Sequence, residues 1–445
     1  MTDPSPLDAY RGDILDLRGD PAVSGDAAVR FVPDGWLLVR GQRIAGVLDA
    51  DAEPDPRWRR HDWRGHLLLP GFIDTHVHAP QLDVIASYGT ELLDWLQRHT
   101  FPAEARWADP AHARRSARRF VRELLAHGTT CAMVFPTVHR AGVDALFEVA
   151  CELDMALISG RVLMDRHCPD ALRDDTDAAE RDSVELIERW HGRGRCGYAL
   201  TPRFAATSSA AQLQSCGALL RAFEGVHLQT HLAENRAEVD WVRALFPDAR
   251  SYLDVYARAG LLGPRSVFAH AIWLDADDRA ALAASGSAVA FSPSSNLFLG
   301  SGLFDWAQTA AAGVPVAIAS DVGAGTSLCQ LRSAADAYKV LALQGQRLDA
   351  WRALHAITRG AARTLRRDAE LGHFETGAWA DFCVWAWSAD ALQRHRVELA
   401  RSLHERVFAW LTLADARNLA AVHVAGRRVP LGADGFAGSD ALGAP

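Results

Sequence analysis

Residues 70–81, Pro-Gly-Phe-Ile-Asp-Thr-His-Val-His-Ala-Pro-Gln, set His76 and His78 two positions apart after the apolar run Leu67-Leu68-Leu69. Along a strand, side chains at i and i+2 share a face, so the two imidazoles project together. That is half of a metal site, provided other strands bring the rest. A lone His-x-His pair is more often packing or surface histidine than ligand. Three further apolar runs alter the weighing. Val226 to His231 ends in histidine and leads into Leu232-Ala233-Glu234-Asn235; Val267 to His270 ends in histidine; Val316 to Asp321 ends in aspartate. Three imidazoles and a carboxylate around an open position suit a catalytic zinc, or Fe(II), rather than a closed structural site.

Each residue also has a plainer reading. His231 and His270, taken singly, are ordinary core histidines, and Asp321 is a cap for the segment after its strand. As a set in one register they point to a shared rim. His227 lies on the face of His231 but deeper in its strand and is assigned to the core. Glu234, three residues past His231, is within reach of a metal-activated water, where a carboxylate can carry a proton to a leaving group. It also suits a helix N-terminus, where the dipole favours a glutamate, and the following Asn235 and Glu238 fit both readings. The remaining histidines receive no role.

The elements that must position these residues follow from periodicity. Residues 1–66 read as short half-buried strands at 12–17, 35–39 and 42–48, punctuated by Gly, Asp and Pro. From 67 to 370, short apolar strands alternate with helix-like stretches such as 111–127, 178–191, 209–223 and 328–343. Eight strands are expected, over 67–78, 129–135, 156–164, 195–201, 226–232, 266–271, 288–292 and 315–321. Alternation implies a parallel sheet, and eight strands imply closure into a TIM-like (β/α)8 barrel of the α/β class, with chemistry at the C-terminal strand ends. Residues 371–445 return to strands at 379–385, 407–410 and 421–424, before a Gly426-Arg427 turn. The simplest arrangement has 1–66 and 371–445 pairing into one small β-sandwich domain beside the barrel at 67–370. The last dozen residues, rich in Gly, Ala and Asp, suggest a mobile tail.

Bulk composition narrows the function classes. The chain has 445 residues, 49% of them apolar and 23% charged, as expected of a globular enzyme with a large core. A net charge of −8 without a basic block gives no footing for nucleic acid or an anionic membrane. The seven scattered cysteines form no Cys-x-x-Cys pair, which argues against a disulfide framework and for a reducing cytosol. No signal peptide is legible in Met1 to Asp13, and no apolar run reaches membrane-spanning length. The His-x-Glu and Pro-Cys-x-x-Cys signature of the unrelated cysteine-ligated zinc deaminases is missing.

With these residues in place, the sequence resembles the amidohydrolase superfamily and, within it, the guanine deaminases. The resemblance spans nearly the whole chain, from the 70–81 motif through Asp321 to Gly360-Ala361-Ala362 and Gly377-Ala378-Trp379-Ala380-Asp381. The narrower signature comprises His78-Ala79-Pro80-Gln81, Ser87-Tyr88-Gly89, Leu92-Leu93-Asp94-Trp95-Leu96 and Thr100-Phe101-Pro102-Ala103-Glu104. It continues with Thr201-Pro202-Arg203-Phe204, His231-Leu232-Ala233-Glu234-Asn235 and Ser292-Pro293-Ser294-Ser295-Asn296-Leu297.

The resemblance implies zinc ligands His76, His78, His231 and Asp321, His270 beside the activated water, and Glu234 as proton shuttle. It implies Gln81 and Arg203 as the groups that hold guanine, with Phe204 near the ring. One metal is expected, because Lys339, the only lysine, follows Asp321 and cannot serve as the bridging lysine that two-metal barrels commonly need. Chemistry is compatible: the arginine fork matches the O6 and N7 acceptors of guanine, and a glutamine offers both donor and acceptor. Phe101, Trp95 or Phe204 would supply a stacking face, although Trp95 and Phe101 are equally read as core and Arg203 as a structural ion-pair arginine.

The implied reaction is attack of the activated water on C2, with Glu234 protonating the neighbouring ring nitrogen and xanthine and ammonia leaving. The family resemblance and the usual symmetry of soluble oligomers imply a cytoplasmic homodimer acting in purine catabolism. Two other readings share parts of this pattern. One is an amidohydrolase acting on another purine, a pterin or a triazine; the other is a non-catalytic barrel scaffold, which would typically have lost metal ligands.

Overall fold

The computed structural model describes residues 7–89 and 91–430. The tail expected at the C-terminus lies outside the described residues. The N-terminal segment supplies strands β1 (Leu7–Leu17), β2 (Val29–Arg40), β3 (Arg43–Leu48) and β4 (Arg59–Pro70). The middle of the chain supplies β5 (Phe72–His78), β6 (Thr129–Phe135), β7 (Ala156–Ser159), β8 (Val162–Leu163) and β9 (Cys196–Pro202). It continues with β10 (His227–Leu232), β11 (Ser266–His270), β12 (Ala288–Phe291) and β13 (Val316–Ile318). The C-terminal segment adds β14 (Phe382–Ala386), β15 (Leu419–Val424) and β16 (Arg427–Val429).

Among the described residues, eight strands run parallel in the order β5-β6-β7-β9-β10-β11-β12-β13, with the short β8 paired to β9. The amide of Asp321 donates to the His76 carbonyl at 3.0 Å and that of His78 to the Val322 carbonyl at 3.0 Å, bringing the last strand back to the first. Helices follow the strands as the periodicity predicts: Pro110–Ala126, Thr176–Trp190, Ala210–Ala222 and Gln330–Leu343. Inside the barrel, Ile73, Met133, Ile158 and Val267 pack with alanines from β7, β9, β12 and the β13 segment, and Leu365 and Leu371 close the same cluster. The interior is therefore a filled core, and free space lies at one end of it.

The two ends of the chain join in a seven-stranded mixed sheet, ordered β16-β15-β14-β4-β1-β2-β3. The run 67–78, expected as one strand, is two strands in two sheets. Leu67 to Pro70 pair with β14, Phe382 opposite Pro70, while Phe72 begins the barrel. Gly71 is the joint: a Cβ there would come within 2.0 Å of the Thr130 hydroxyl. The Pro70-Gly71 pair is the local signal for this break, which the apolar residues on either side do not report. A second correction concerns 407–410, which lies within the helix Leu403–Leu413 and not in a strand. The Ser402 side chain caps it by accepting from the Glu405 amide, and Val407, Trp410 and Leu411 bury one helical face. Four apolar residues alone do not distinguish a strand from a buried helical turn.

The two layers are tied together by an ion pair. Arg195, next to β9, bonds Asp381, next to β14, with Nη1 to Oδ1 at 2.9 Å, and both side chains are about 4% exposed. The same Asp381 oxygen accepts from the Ala425 amide at 2.8 Å. All seven cysteines are free, and among the described residues no helix is long and apolar enough to cross a membrane.

Candidate active site

The C-terminal ends of β5, β10, β11 and β13 converge on one point. His76 Nε2 and His78 Nε2 lie 3.2 and 3.3 Å from Asp321 Oδ1. His231 Nε2 faces His78 Nε2 at 3.2 Å. His270 Nε2 sits 3.7 Å from Asp321 Oδ2 and 3.4 Å from Glu234 Oε2. Ligand atoms of His76, His231, His270 and Asp321 all fall within 4.8 Å of one another. That group takes in His270 and leaves out His78, which joins it through its contacts with Asp321 and His231. Backbone geometry marks the same rim: Ala233, His270, Ala271 and Asp321 all have positive φ, between 48° and 70°. Non-glycine residues carry that conformation where the surroundings impose it, often at functional sites.

Two of the imidazoles are oriented from behind. His231 Nδ1 donates to the Arg203 carbonyl at 2.7 Å, leaving a lone pair on Nε2. His270 Nδ1 donates to the Asn296 side-chain oxygen at 2.9 Å, with the same result. His76 Nε2 and His270 Nε2 are buried without hydrogen-bond partners. Burial, reinforced by the neighbouring imidazoles, lowers His78 to about 3 and His231 well below the usual range, so both are neutral at physiological pH. Burial alone would raise Asp321, but the imidazoles, His76 foremost, outweigh it and hold the carboxylate ionised. The lone pairs on His231 and His270 Nε2 and one carboxylate, brought together, suit a divalent cation with nitrogen and oxygen ligands. Beneath, Asp74 accepts from the Ser320 amide at 3.1 Å and fixes the β5–β13 junction.

A cavity opens beside the cluster, lined by His78, Gln81, Leu92, Trp95, Leu96, Arg203, Phe204, His231, Glu234, Glu238, His270, Ser295, Leu299, Asp321 and Ala324. Of the residues expected to face a substrate, Gln81, Trp95, Arg203, Phe204 and Glu234 stand in its wall. Phe101 does not; its ring lies 5.3 Å from the Arg203 guanidinium carbon, supporting that side chain. Arg203 fits both of its readings, since it lines the cavity and its Nη1 bonds Glu104 Oε1 at 2.6 Å.

Glu234 sits just before the helix Arg236–Leu245, whose N-cap is Asn235. Its Oε1 accepts from the Ser301 hydroxyl at 2.9 Å, which leaves Oε2 toward His270. Burial, then the charge of Asp321, raises its carboxyl to about 8 despite the Ser301 bond. Glu238 accepts from the amides of Glu234 (2.9 Å) and Asn235 (3.2 Å) and from Tyr252 Oη (2.7 Å). It is raised to about 7, by burial and then by Glu234. A carboxyl that titrates near neutrality beside an activated water is suited to moving a proton.

Sequence reasoning gave no role to Glu104, Asn296 or Ser301. The first two fall in the Thr100–Glu104 and Ser292–Leu297 stretches that carry the family resemblance, which was the available signal. Ser301 has none, because its contact with Glu234 spans 67 residues.

Comparison with known proteins agrees with this architecture. The amidohydrolase family model matches residues 67–429. The chain is 42% identical to the guanine deaminase of Escherichia coli (strain K12) over 428 residues, covering 95% of this chain and 98% of that one. It is 44% identical over 386 residues to a probable guanine deaminase of Deinococcus radiodurans, covering 84% and 88%. The solved E. coli guanine deaminase superposes with a TM-score of 0.92 at 41% identity, over 95% of this chain and 99% of that one. A guanine deaminase of C. acetobutylicum with guanine bound in its active site gives 0.86 at 25% identity, covering 95% and 100%. With three-quarters or more of its length matched in each case, and with the ligand-type side chains converging at the barrel rim, this chain belongs to the amidohydrolase family.

Proposed function

We propose that this protein is a guanine aminohydrolase that converts guanine and water to xanthine and ammonia. The observation that carries it is that one cavity is lined both by Arg203 and Gln81 and by His78, His231, His270, Asp321 and Glu234. The high identity to guanine deaminases over nearly the full chain supports the same substrate. The donors His76, His78, His231 and Asp321 would hold a single zinc, or Fe(II), with His270 beside it. When bound, such an ion supplies Lewis acidity and lets water act as a nucleophile near pH 7.

The chain's own residues do the rest. Arg203 presents N–H donors to the O6 and N7 acceptors, and Gln81 adds a donor and an acceptor to the same edge. Phe204 and Trp95 wall the ring plane. Asp321 and His270 orient the attacking water and accept its proton. Glu234, whose carboxyl is raised by burial to about 8, donates to the ring nitrogen next to C2 as oxygen adds to C2. It then takes the proton of the C2 hydroxyl and hands it to the amino group as C2=O forms, the C2–N bond breaks and ammonia departs. The first water proton returns to Glu234 by way of His270, whose Nε2 lies 3.4 Å from Glu234 Oε2. The scattered free cysteines suit a reducing cytosol, and a homodimer is the default assembly for such an enzyme.

Ammonia release from a panel of bases tests the substrate. Guanine should be turned over far faster than adenine, an amino-pterin or an amino-triazine. A preference for any of the others would reassign the ring while leaving the barrel chemistry in place.

A further inference from the structure

Glu104 stands behind both side chains that the proposed function assigns to the base. It lies on the helix Phe101–Ala105, is fully buried, and does not itself line the cavity. Its Oε1 receives Arg203 Nη1 at 2.6 Å, and the Arg203 side chain is about 2% exposed. Its Oε2 is buried without a hydrogen bond of its own. Gln81 faces the same carboxylate, close enough to oppose the upward push of burial on it. On its other side, Gln81 Oε1 accepts from the Gly323 amide at 3.2 Å. An amide beside a carboxylate must turn its NH2 toward it, because two oxygens would repel. The Gly323 amide and the Glu104 carboxylate therefore select the same orientation of the Gln81 side chain. One carboxylate fixes the arginine fork and the amide orientation together.

We propose that Glu104 is a positioning residue that sets base specificity, holding Arg203 and Gln81 so that the cavity accepts a 6-oxo purine edge and rejects a 6-amino one. This rests on the purine reading of the cavity. Arginine carries donors only, so an amino group at C6 would meet donor against donor. A site committed in this way discriminates through the polar groups that the wrong ligand leaves unpaired. Loosening Arg203 and Gln81 lets them turn away or reverse, and the discrimination falls.

The test uses the zinc-loaded enzyme and two non-guanine probes, hypoxanthine (6-oxo) and adenine (6-amino), whose binding is measured by calorimetry alongside guanine turnover. Wild type should prefer hypoxanthine by about 100-fold or more. Glu104→Gln should reduce that ratio by about tenfold and raise KM for guanine by about tenfold, with kcat within about threefold and zinc content unchanged, while Tm falls because Arg203 stays buried without its partner. Should that variant not fold, Glu104→Asp carries the same test, since it keeps the charge but withdraws the carboxylate by one methylene. An unchanged ratio and KM would overturn the proposal. So would a parallel fall of kcat, zinc content and Tm with the ratio intact, which is the signature of a purely structural residue. Wild type that prefers hypoxanthine yet leaves guanine unreacted would sink the guanine reading and keep the clamp. Wild type that binds neither probe would sink the clamp.

Discussion

His270 and Asn296 share a 2.9 Å hydrogen bond, from the imidazole Nδ1 to the amide oxygen. His270 ends β11 and Asn296 lies in the helix Pro293–Phe298 that follows β12, so a neighbouring strand's connection selects the tautomer of this rim residue. The proton stays on Nδ1, and Nε2 is left facing Glu234 and Asp321. Asn296→Ala should release the ring while sparing the other donors. We expect kcat/KM for guanine to fall by about 10- to 100-fold with metal content retained, as for other groups that orient residues around a metal. Unchanged kinetics would remove Asn296 from the account.

Glu234 makes the proton shuttle separable from metal binding. Glu234→Gln keeps size and the Ser301 contact and loses only the titrating proton. We expect full metal content and an unaltered fold, with kcat lowered by at least about 100-fold. Elemental analysis and ammonia release on the same preparation decide it. Full turnover in this variant would take Glu234 out of the mechanism.

The same carboxyl leaves a mark on stability. Burial raises Glu234 from 4.5 to about 8 and Glu238 from 4.5 to about 7. In metal-free protein the folded chain therefore holds more protons than the unfolded chain between those limits. The contribution is fully present below the unfolded value and is lost as pH rises through the folded ones. Metal-free Glu234→Gln should lose less stability than metal-free wild type between about pH 5 and pH 8. Thermal unfolding across that range checks it, and parallel curves for the two proteins would contradict it.

Asp381→Asn tests what joins the two layers. The substitution leaves Arg195 buried opposite a neutral amide, and loss of one partner of a buried pair costs about 3–5 kcal/mol. Arg98→Ala, which breaks an exposed i,i+4 pair with Asp94, should cost no more than about 0.5 kcal/mol. Urea unfolding of both variants measures the contrast. Equal costs would mean that the Arg195–Asp381 pair is no more than a surface contact.

Much of this site is written locally in the chain. His76, His78, His231, His270 and Asp321 each end an apolar run, and a barrel delivers such ends to one rim, so their meeting follows from periodicity and topology. Where the sequence misleads, long-range pairing is the cause. Leu67 to Pro70 read on into β5 when Pro70-Gly71 is passed over, yet they belong to the other sheet because β14 arrives from more than 300 residues away. Val407 to Trp410 look like a strand until the Ser402 cap and the helical spacing of Leu403, Val407 and Trp410 are taken together. The supporting residues are the least legible. Glu104 meets Arg203 across 99 residues and Ser301 meets Glu234 across 67, and neither contact leaves a periodic trace.

The most direct test of the central claim is the ultraviolet absorbance of zinc-loaded protein mixed with guanine, with ammonia assayed in parallel. We predict rapid conversion to xanthine with one ammonia per base, abolished by a chelator and restored by zinc. A protein carrying its full metal complement that leaves guanine unchanged would contradict the account.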